Sequence, residues 1–380
     1  MFLLGSLDAG GSERQTLEIL RGLDRASFQP LLYTVYGKGG LQEQLPGDVV
    51  RCSYWDRFEN PRLRFPGRIL YRQARDLASV LASEQVDVLC DRNFHMTMLG
   101  ALACRFRRTP RISVVSSDPT RDLPAGARGY LWLKRYFLRM AYRRAARVVA
   151  VSEGVREAVL RYYRLPADQV ITIGNLFDLR RIDAMADAYA PPMQDGCFHV
   201  VSAGRLQAEK GTQILVEAAG RLISRGTADS LRLWILGDGP LAGQLDETIR
   251  RLRLEQRVFL VGYQANPLPY IKHADLFCLP SLYEGMPNAL AEAMACGTPV
   301  LATDCPSGPY EMLRGGQFGG LVPPADPAAL AEAIQSAIDN PAPWRARTQA
   351  ARLHVEQHYG AEIGLSAYEN AFRDAAEWKG

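Results

Sequence analysis

No stretch of this sequence approaches the roughly 18 consecutive apolar residues of a membrane span. Its opening, M-F-L-L-G-S-L, has neither the basic start nor the long apolar run of a signal peptide, so a soluble or membrane-peripheral chain is expected. Cysteine is sparse and scattered. The seven, Cys52, Cys90, Cys104, Cys197, Cys278, Cys296 and Cys305, include no C-x-x-C pair, and no histidine stands at zinc spacing. This argues against a disulfide framework or a metal site; the expectation is core-filling thiols in a reducing cytoplasm and no metal. An excess of one charge is lacking too. The formal net charge is only +4, which gives no argument for a nucleic-acid partner.

What is present is length and alternation. At 380 residues the chain exceeds the roughly 250 to 300 at which single cores stop growing, so two α/β domains are expected. Met1 to Leu7 reads as a buried strand, followed by D-A-G-G-S-E-R and the amphipathic run T-L-E-I-L-R-G-L. Strand, glycine loop and helix open a Rossmann-like unit, in which Gly10 and Gly11 let backbone approach a ligand and the helix N-terminus favours an anion. The runs P-L-L-Y-T-V-Y, D-V-L-C and R-I-S-V-V-S continue a parallel sheet covered by helices. Ligands of such sheets bind beyond the carboxyl ends of the strands, which singles out His95 and the Ser116-Ser117-Asp118 loop, with His95 and Asp118 as acceptor contacts.

Two basic segments stand out. Arg62, Arg64, Arg68, Arg72 and Arg75 form the first, and the last three recur at i, i+4 and i+7, one face of a helix able to hold phosphates. The second, Arg121 to Arg147, has eight Lys or Arg against the single acid Asp122, interleaved with Tyr130, Trp132, Tyr136 and Phe137. Bases beside aromatics suit an anionic membrane surface, and a solvated helix face over a core stripe is the plainer alternative. Ser152 then reads as a helix cap.

Ala184 to Gly196 has no clear period and carries Pro191-Pro192, which places a linker at 184–196 between domains 1–183 and 197–360. In the second domain, C-F-H-V-V-S-A-G-R ends on Arg205, Lys210 precedes a helix, G-D-G is a strand-to-helix turn, and Gly262 and Tyr263 offer backbone for reading a nucleobase. The densest block is Y-E-G-M-P-N-A-L-A-E-A-M-A-C-G-T-P-V, from Tyr283 to Val300. Pro287 suits a first helical turn and Gly297 with Pro299 a stop, giving a helix of about ten residues. Its N-terminus aims at the loop Gly285-Met286-Pro287-Asn288, a site for a phosphate. Glu284 precedes that turn and Glu292 lies about 7.5 Å along the helix. A carboxylate on either side of a diphosphate site fits a nucleotide sugar.

The block resembles the retaining glycosyltransferases of family 4, whose signature is two glutamates separated by seven residues, as Glu284 and Glu292 stand. The resemblance implies that Glu284 contacts the donor sugar and Glu292 the ribose, and G-R-x-x-x-x-K-G resembles the family's diphosphate clamp, Arg205 and Lys210. C-P-S-G-P is similar to the branch that adds galactose or N-acetylgalactosamine to bacterial lipid-linked glycans. I-T-I-G-N-L-F-D resembles the family's N-P-x-D hinge, with Leu176 in place of Pro, a change expected to matter little. The implied fold is GT-B, two Rossmann-like domains facing across a cleft, with the last helix, 361–380, returning to the first domain. The implied activity is metal-independent, cofactor-free retaining transfer of a hexose or N-acetylhexosamine from a UDP-sugar donor. The expected acceptor is a glycan on a lipid pyrophosphate, at the inner face of the cytoplasmic membrane. A 2-epimerase of the same fold, or a non-catalytic nucleotide-sugar-binding partner, are the alternatives.

Overall fold

The computed structural model describes residues 1–378 apart from 9, 59–66, 126–129, 194–195, 227 and 229. Arg62, Arg64 and Arg128 therefore lie outside the described residues. The chain divides into two compact units, Met1–Leu176 with Ala361–Gly380, and Phe177–Gly360.

In the first unit, β1 (Phe2–Leu4), β2 (Leu31–Thr34), β3 (Val50–Ser53), β4 (Leu89–Arg92), β5 (Arg111–Val115), β6 (Arg147–Ala150) and β7 (Val170–Thr172) form one parallel sheet, ordered β3-β2-β1-β4-β5-β6-β7. The helices are α1 (Gly11–Gly22), α2 (Arg68–Ser83), α3 (Phe94–Arg107), α4 (Pro119–Ala125), α5 (Leu131–Arg143) and α6 (Glu153–Tyr163). β2, β4 and β5 are buried along their whole length, as strands covered by helices must be. Inside this layer Arg111 and Asp91 make a fully buried ion pair at 2.7 Å. Thr97 also donates to Asp91 at 2.6 Å, and the second Arg111 amino group reaches the Ala141 carbonyl, so one network ties α3, β4, β5 and α5 together. Ser152 caps α6 by accepting from the Val155 N–H at 3.3 Å.

The second unit repeats the plan. Its strands β8 (Phe198–Ala203), β9 (Leu231–Leu236), β10 (Val258–Gly262), β11 (Leu276–Leu279), β12 (Val300–Thr303) and β13 (Gly320–Val322) are parallel and ordered β10-β9-β8-β11-β12-β13. Around them lie α7 (Leu179–Ala186), α8 (Thr212–Ser224), α9 (Ala242–Arg251), α10 (Leu268–Lys272), α11 (Asn288–Ala295), α12 (Pro309–Met312), α13 (Pro327–Asp339), α14 (Ala342–Arg345) and α15 (Thr348–Tyr359). The last helix, α16 (Ala361–Ala376), belongs to the first unit. No helix among the described residues is long and apolar enough to cross a membrane.

The division differs from the expected one. The chain passes between units at Leu176–Phe177, not in 184–196, so α7 belongs to the second unit and not to the 1–183 domain. The reason is bonding. Asp183 holds Arg352 of α15 at 2.7 Å, Asp187 holds Lys272 at 2.5 Å, and the Tyr189 hydroxyl donates to the Asn266 carbonyl at 2.9 Å. The supposed linker is thus pinned along the surface of the second unit, and proline there marks an irregular segment rather than a boundary.

Candidate active site

In both sheets the strand order reverses beside the first strand of the unit, between β1 and β4 and between β8 and β11. Such a switch point leaves an opening at the carboxyl ends of the strands, where ligands of these sheets bind. In the second unit three loops meet there, after β8, β11 and β12.

The loop after β8 carries Arg205 and Lys210, and the loop after β11 carries Glu284. The structure joins Lys210 and Glu284 directly. The Lys210 Nζ donates to Glu284 Oε1 at 2.7 Å, and the Glu284 side chain is only 7% exposed. Backbone fixes the same two loops: the Leu282 N–H donates to the Glu209 carbonyl at 2.7 Å, and Gly211 lies flat against Pro280. The third loop presses from the other side. The Glu284 N–H donates to the Pro306 carbonyl at 3.3 Å, and a Cβ on Gly308 would sit 2.8 Å from Pro287 Cδ and 2.9 Å from the Gly285 oxygen. Gly308 has φ +89°, a conformation suited to glycine, so this close fit is written into the C-P-S-G-P stretch.

Two side chains that sequence reasoning passed over complete the arrangement. Ser281 Oγ donates to the same Glu284 Oε1 at 2.7 Å, and the Thr303 hydroxyl donates to the Ser281 carbonyl. Both residues are fully buried. A serine three residues before the glutamate was the signal available; nothing in the sequence pointed to Thr303. Cys305 lies close by, buried, its thiol pushed up to about 12 by burial and then by the Glu284 charge, which leaves it protonated and unreactive.

The helix after Glu284 is shorter than expected and starts one residue later. Pro287 is its N-cap, in extended backbone, and α11 runs from Asn288 for 8 residues. Gly297 follows the C-cap Cys296 with φ +73°, the turn that ends it. Met286 is buried, while Glu292 is half-buried on the flank of α11, where its charge helps to raise the Cys296 thiol to about 12, after burial itself. Arg205 is exposed in the turn after β8, where the Leu206 N–H donates to the Asp238 carbonyl at 2.9 Å. Gly262, with φ +80°, ends β10, its carbonyl accepting from the Gly237 N–H at 2.8 Å, and Tyr263 next to it is exposed.

In the first unit, Gly10 caps α1 in extended backbone without a side-chain bond, and Gly11 begins the helix. His95 stands in the first turn of α3, its imidazole held below its ordinary value first by desolvation and then by Lys134 of α5. Asp118 has a structural task. Its Oδ1 accepts from the Thr120 N–H at 2.8 Å and from the Thr120 hydroxyl at 2.7 Å, bracing the start of α4. One oxygen of the expected acceptor contact is therefore committed to the fold. Arg68, Arg72 and Arg75 do share a helix, α2; Arg72 and Arg75 are exposed, and the Arg68 Nε is buried with no partner among the described residues.

Two family models match the two halves of the chain. "Glycosyltransferase Family 4" matches residues 9–181 and "Glycosyl transferases group 1" matches residues 197–340. Among curated relatives, a Campylobacter jejuni N-acetylgalactosamine-N,N'-diacetylbacillosaminyl-diphospho-undecaprenol 4-alpha-N-acetylgalactosaminyltransferase is 27% identical over 55% of this chain and 55% of its own length. The lipopolysaccharide core biosynthesis glycosyltransferase LpsE of Rhizobium meliloti is 26% identical over 80% of this chain and 87% of its own. The chain spans about half the length of the first curated relatives it matches. Among solved structures, Anabaena HepE in complex with UDP superposes with a TM-score of 0.79, 21% identity and 98% of both chains covered. With a family 4 domain in its first unit, a group 1 domain in its second and two Rossmann-like parallel sheets, the chain belongs to the glycosyltransferases of the GT-B fold.

Proposed function

We propose that the protein transfers a hexose or N-acetylhexosamine, with retention of configuration, from a UDP-sugar to a glycan carried on a lipid pyrophosphate. The observation that carries this reading is the buried Glu284 carboxylate, gripped at one oxygen by Lys210 at the switch point of the second sheet. Glu284 Oε2 has no partner among the described residues and is the atom to accept a sugar hydroxyl. Lys210 and Arg205 stand on one loop, where two cations can neutralise a diphosphate, and the start of α11 adds its backbone dipole. In this reading Glu292, on the flank of α11, accepts the ribose hydroxyls, and Gly262 and Tyr263 border the uracil.

The chemistry asked of these groups is charge stabilisation. As the bond from the anomeric carbon to the β-phosphate oxygen breaks, the diphosphate gains negative charge, which fixed cations bind more tightly than they bind the ground state. The acceptor oxygen bonds to the same face of the sugar and its proton passes to the departing phosphate oxygen. No carboxylate nucleophile is needed, and no metal or cofactor is invoked. Three similarities support the donor and acceptor classes: HepE structures hold UDP and UDP-glucose, the named Campylobacter relative acts on a diphospho-undecaprenol glycan, and WaaB is a lipopolysaccharide galactosyltransferase. In this reading α5 seats the protein on the inner membrane leaflet, and Arg72 and Arg75 lie open to the acceptor pyrophosphate.

The test is transfer of radiolabelled sugar from a panel of UDP-sugars to undecaprenyl-pyrophosphate glycans, with a donor-only arm. Glycosylated lipid with an unchanged donor-only arm is the expected result. A changed sugar nucleotide without acceptor would make the protein an epimerase instead. Lys210→Ala and Glu284→Ala should each reduce turnover at least about a hundredfold while the melting temperature stays within a few degrees; full activity in Lys210→Ala would remove the clamp from the account.

A further inference from the structure

Ser281 sits at the point where the β11–β12 ladder stops. The pairing runs Phe277 with Val300, Cys278 with Leu301 and Leu279 with Ala302. The ladder ends there, one rung short of Pro280 and Thr303. The Thr303 side chain takes over, its hydroxyl donating to the Ser281 carbonyl, and the Ser281 hydroxyl in turn donates to Glu284 Oε1 at 2.7 Å. The chain of bonds therefore starts on a sheet strand and ends on the carboxylate of the proposed sugar contact. All its members are buried, Ser281 and Thr303 completely.

Lys210 meets the same oxygen, Oε1, at 2.7 Å. Its side chain is 30% exposed and, in the functional reading above, its ammonium faces a second demand when a diphosphate arrives. Its three N–H donors are then shared between two anions, at the expense of the bond to Glu284. As Lys210 turns toward the diphosphate, Glu284 loses a donor and would be free to rotate, just when Oε2 has to meet a sugar hydroxyl.

We infer that Ser281 is a positioning residue: its hydroxyl, braced by Thr303, holds Glu284 in place while Lys210 shifts to the donor diphosphate. This deepens the proposed function and rests on it. Ser281 is wholly buried and acts through Glu284, so its loss should act on sugar orientation and not on nucleotide affinity.

The experiment compares Ser281→Ala, Ser281→Thr, Thr303→Val and Thr303→Ser in the transfer assay, with UDP affinity measured by calorimetry and stability by thermal melting. A hydrogen bond to a charged group sets the scale, so Ser281→Ala should lose roughly ten- to a hundredfold in kcat with the Kd for UDP unchanged. Ser281→Thr should restore most of the rate. Thr303→Val should lower kcat by less, and Thr303→Ser should recover it. Unchanged kcat in a folded Ser281→Ala protein, or a UDP affinity that falls as much as kcat, would overturn the positioning role. If Ser281→Ala fails to fold, Thr303→Val decides alone, with unchanged kcat overturning the proposal. Wild-type protein that binds UDP and transfers nothing would instead bring down the functional reading underneath.

Discussion

Gly211 has no room for a methyl group. With φ +62°, a Cβ there would lie 2.0 Å from the Pro280 oxygen, and the residue before it is Lys210. Gly211→Ala must therefore push the lysine loop off the glutamate loop, on top of a backbone strain of about 1 kcal/mol or more. Transfer activity should fall at least about tenfold in a protein that still melts cooperatively; near-normal activity would show that the Lys210–Glu284 contact is not needed for turnover. Leu176 teaches a second lesson. Replacing the family's proline there was expected to matter little, but the leucine N–H is used: it donates to Gln15 Oε1 at 2.7 Å, and Gln15 Nε2 returns a bond to the Leu176 carbonyl at 3.1 Å. Both groups are buried. Leu176→Pro would orphan the Gln15 oxygen at a cost of about 1–3 kcal/mol, more than the gain of about 1 kcal/mol at most from a stiffer unfolded chain. Denaturant titration should show that net loss; a stabilised variant would contradict it. Glu284 with Glu292, and Arg205 with Lys210, stood out in sequence because the spacing within each pair is local, whereas the Lys210–Glu284 contact spans 74 positions and did not. Ser281, Thr303 and Gln15 act across 3, 22 and 161 positions, and only folded strands bring the last two to their partners.

α5 has the residues of a surface helix but not its usual pattern. Leu138 and Tyr142 are buried on the face packed against α3 and α6, as a core stripe should be. On the other side Trp132, Tyr136 and Arg143 recur at i, i+4 and i+11, with Phe137 adjoining, and Trp132 is 70% and Tyr136 53% exposed; Arg139 is half-buried, its Nε buried without a partner among the described residues. The helix L-W-L-K-R-Y-F-L-R-M-A-Y-R contains no acid. Arg135 is not part of this face, since it donates to the Tyr162 carbonyl at 2.7 Å and lies over the Tyr162 ring. One helix thus carries a core stripe on one side and, on the other, aromatics beside bases, the composition on which the proposed seat in a lipid headgroup layer rests. Replacing Trp132 and Tyr136 together by Ser should reduce co-sedimentation with phosphatidylglycerol vesicles at least about tenfold and leave turnover on a water-soluble acceptor unchanged. Equal binding by the double variant, or equal binding to neutral vesicles, would take the membrane away from α5.

The two parallel sheets were readable from alternating strand and helix signals, but proline and lost periodicity misplaced the division between the units. Proline clustering placed it in 184–196; the chain crosses at Leu176–Phe177, inside the N-L-F-D stretch that resembles the family's hinge, and crosses back at Gly360–Ala361. What decides membership is burial reached only in the fold. In α16, the Phe372 ring packs edge-on against Phe2 of β1 at 5.7 Å and near Phe28 at 6.2 Å. Arg92, 3% exposed and without a carboxylate partner among the described residues, donates to the Ser12 carbonyl and to the Tyr368 hydroxyl of α16, both at 3.2 Å. A chain ending at Gly360 would leave that guanidinium half-solvated and uncover β1, while every contact of the Lys210–Glu284 site, made wholly within Phe177–Gly360, would remain. Removing 361–380 should therefore lower the melting temperature of the first unit by more than about 10 °C. UDP affinity should stay within about threefold of the full chain, and transfer to acceptor should be abolished. The pairing of these outcomes is what discriminates, because UDP affinity lost together with the first unit would mean that nucleotide binding draws on residues of the first unit as much as on Lys210, Glu284 and Glu292.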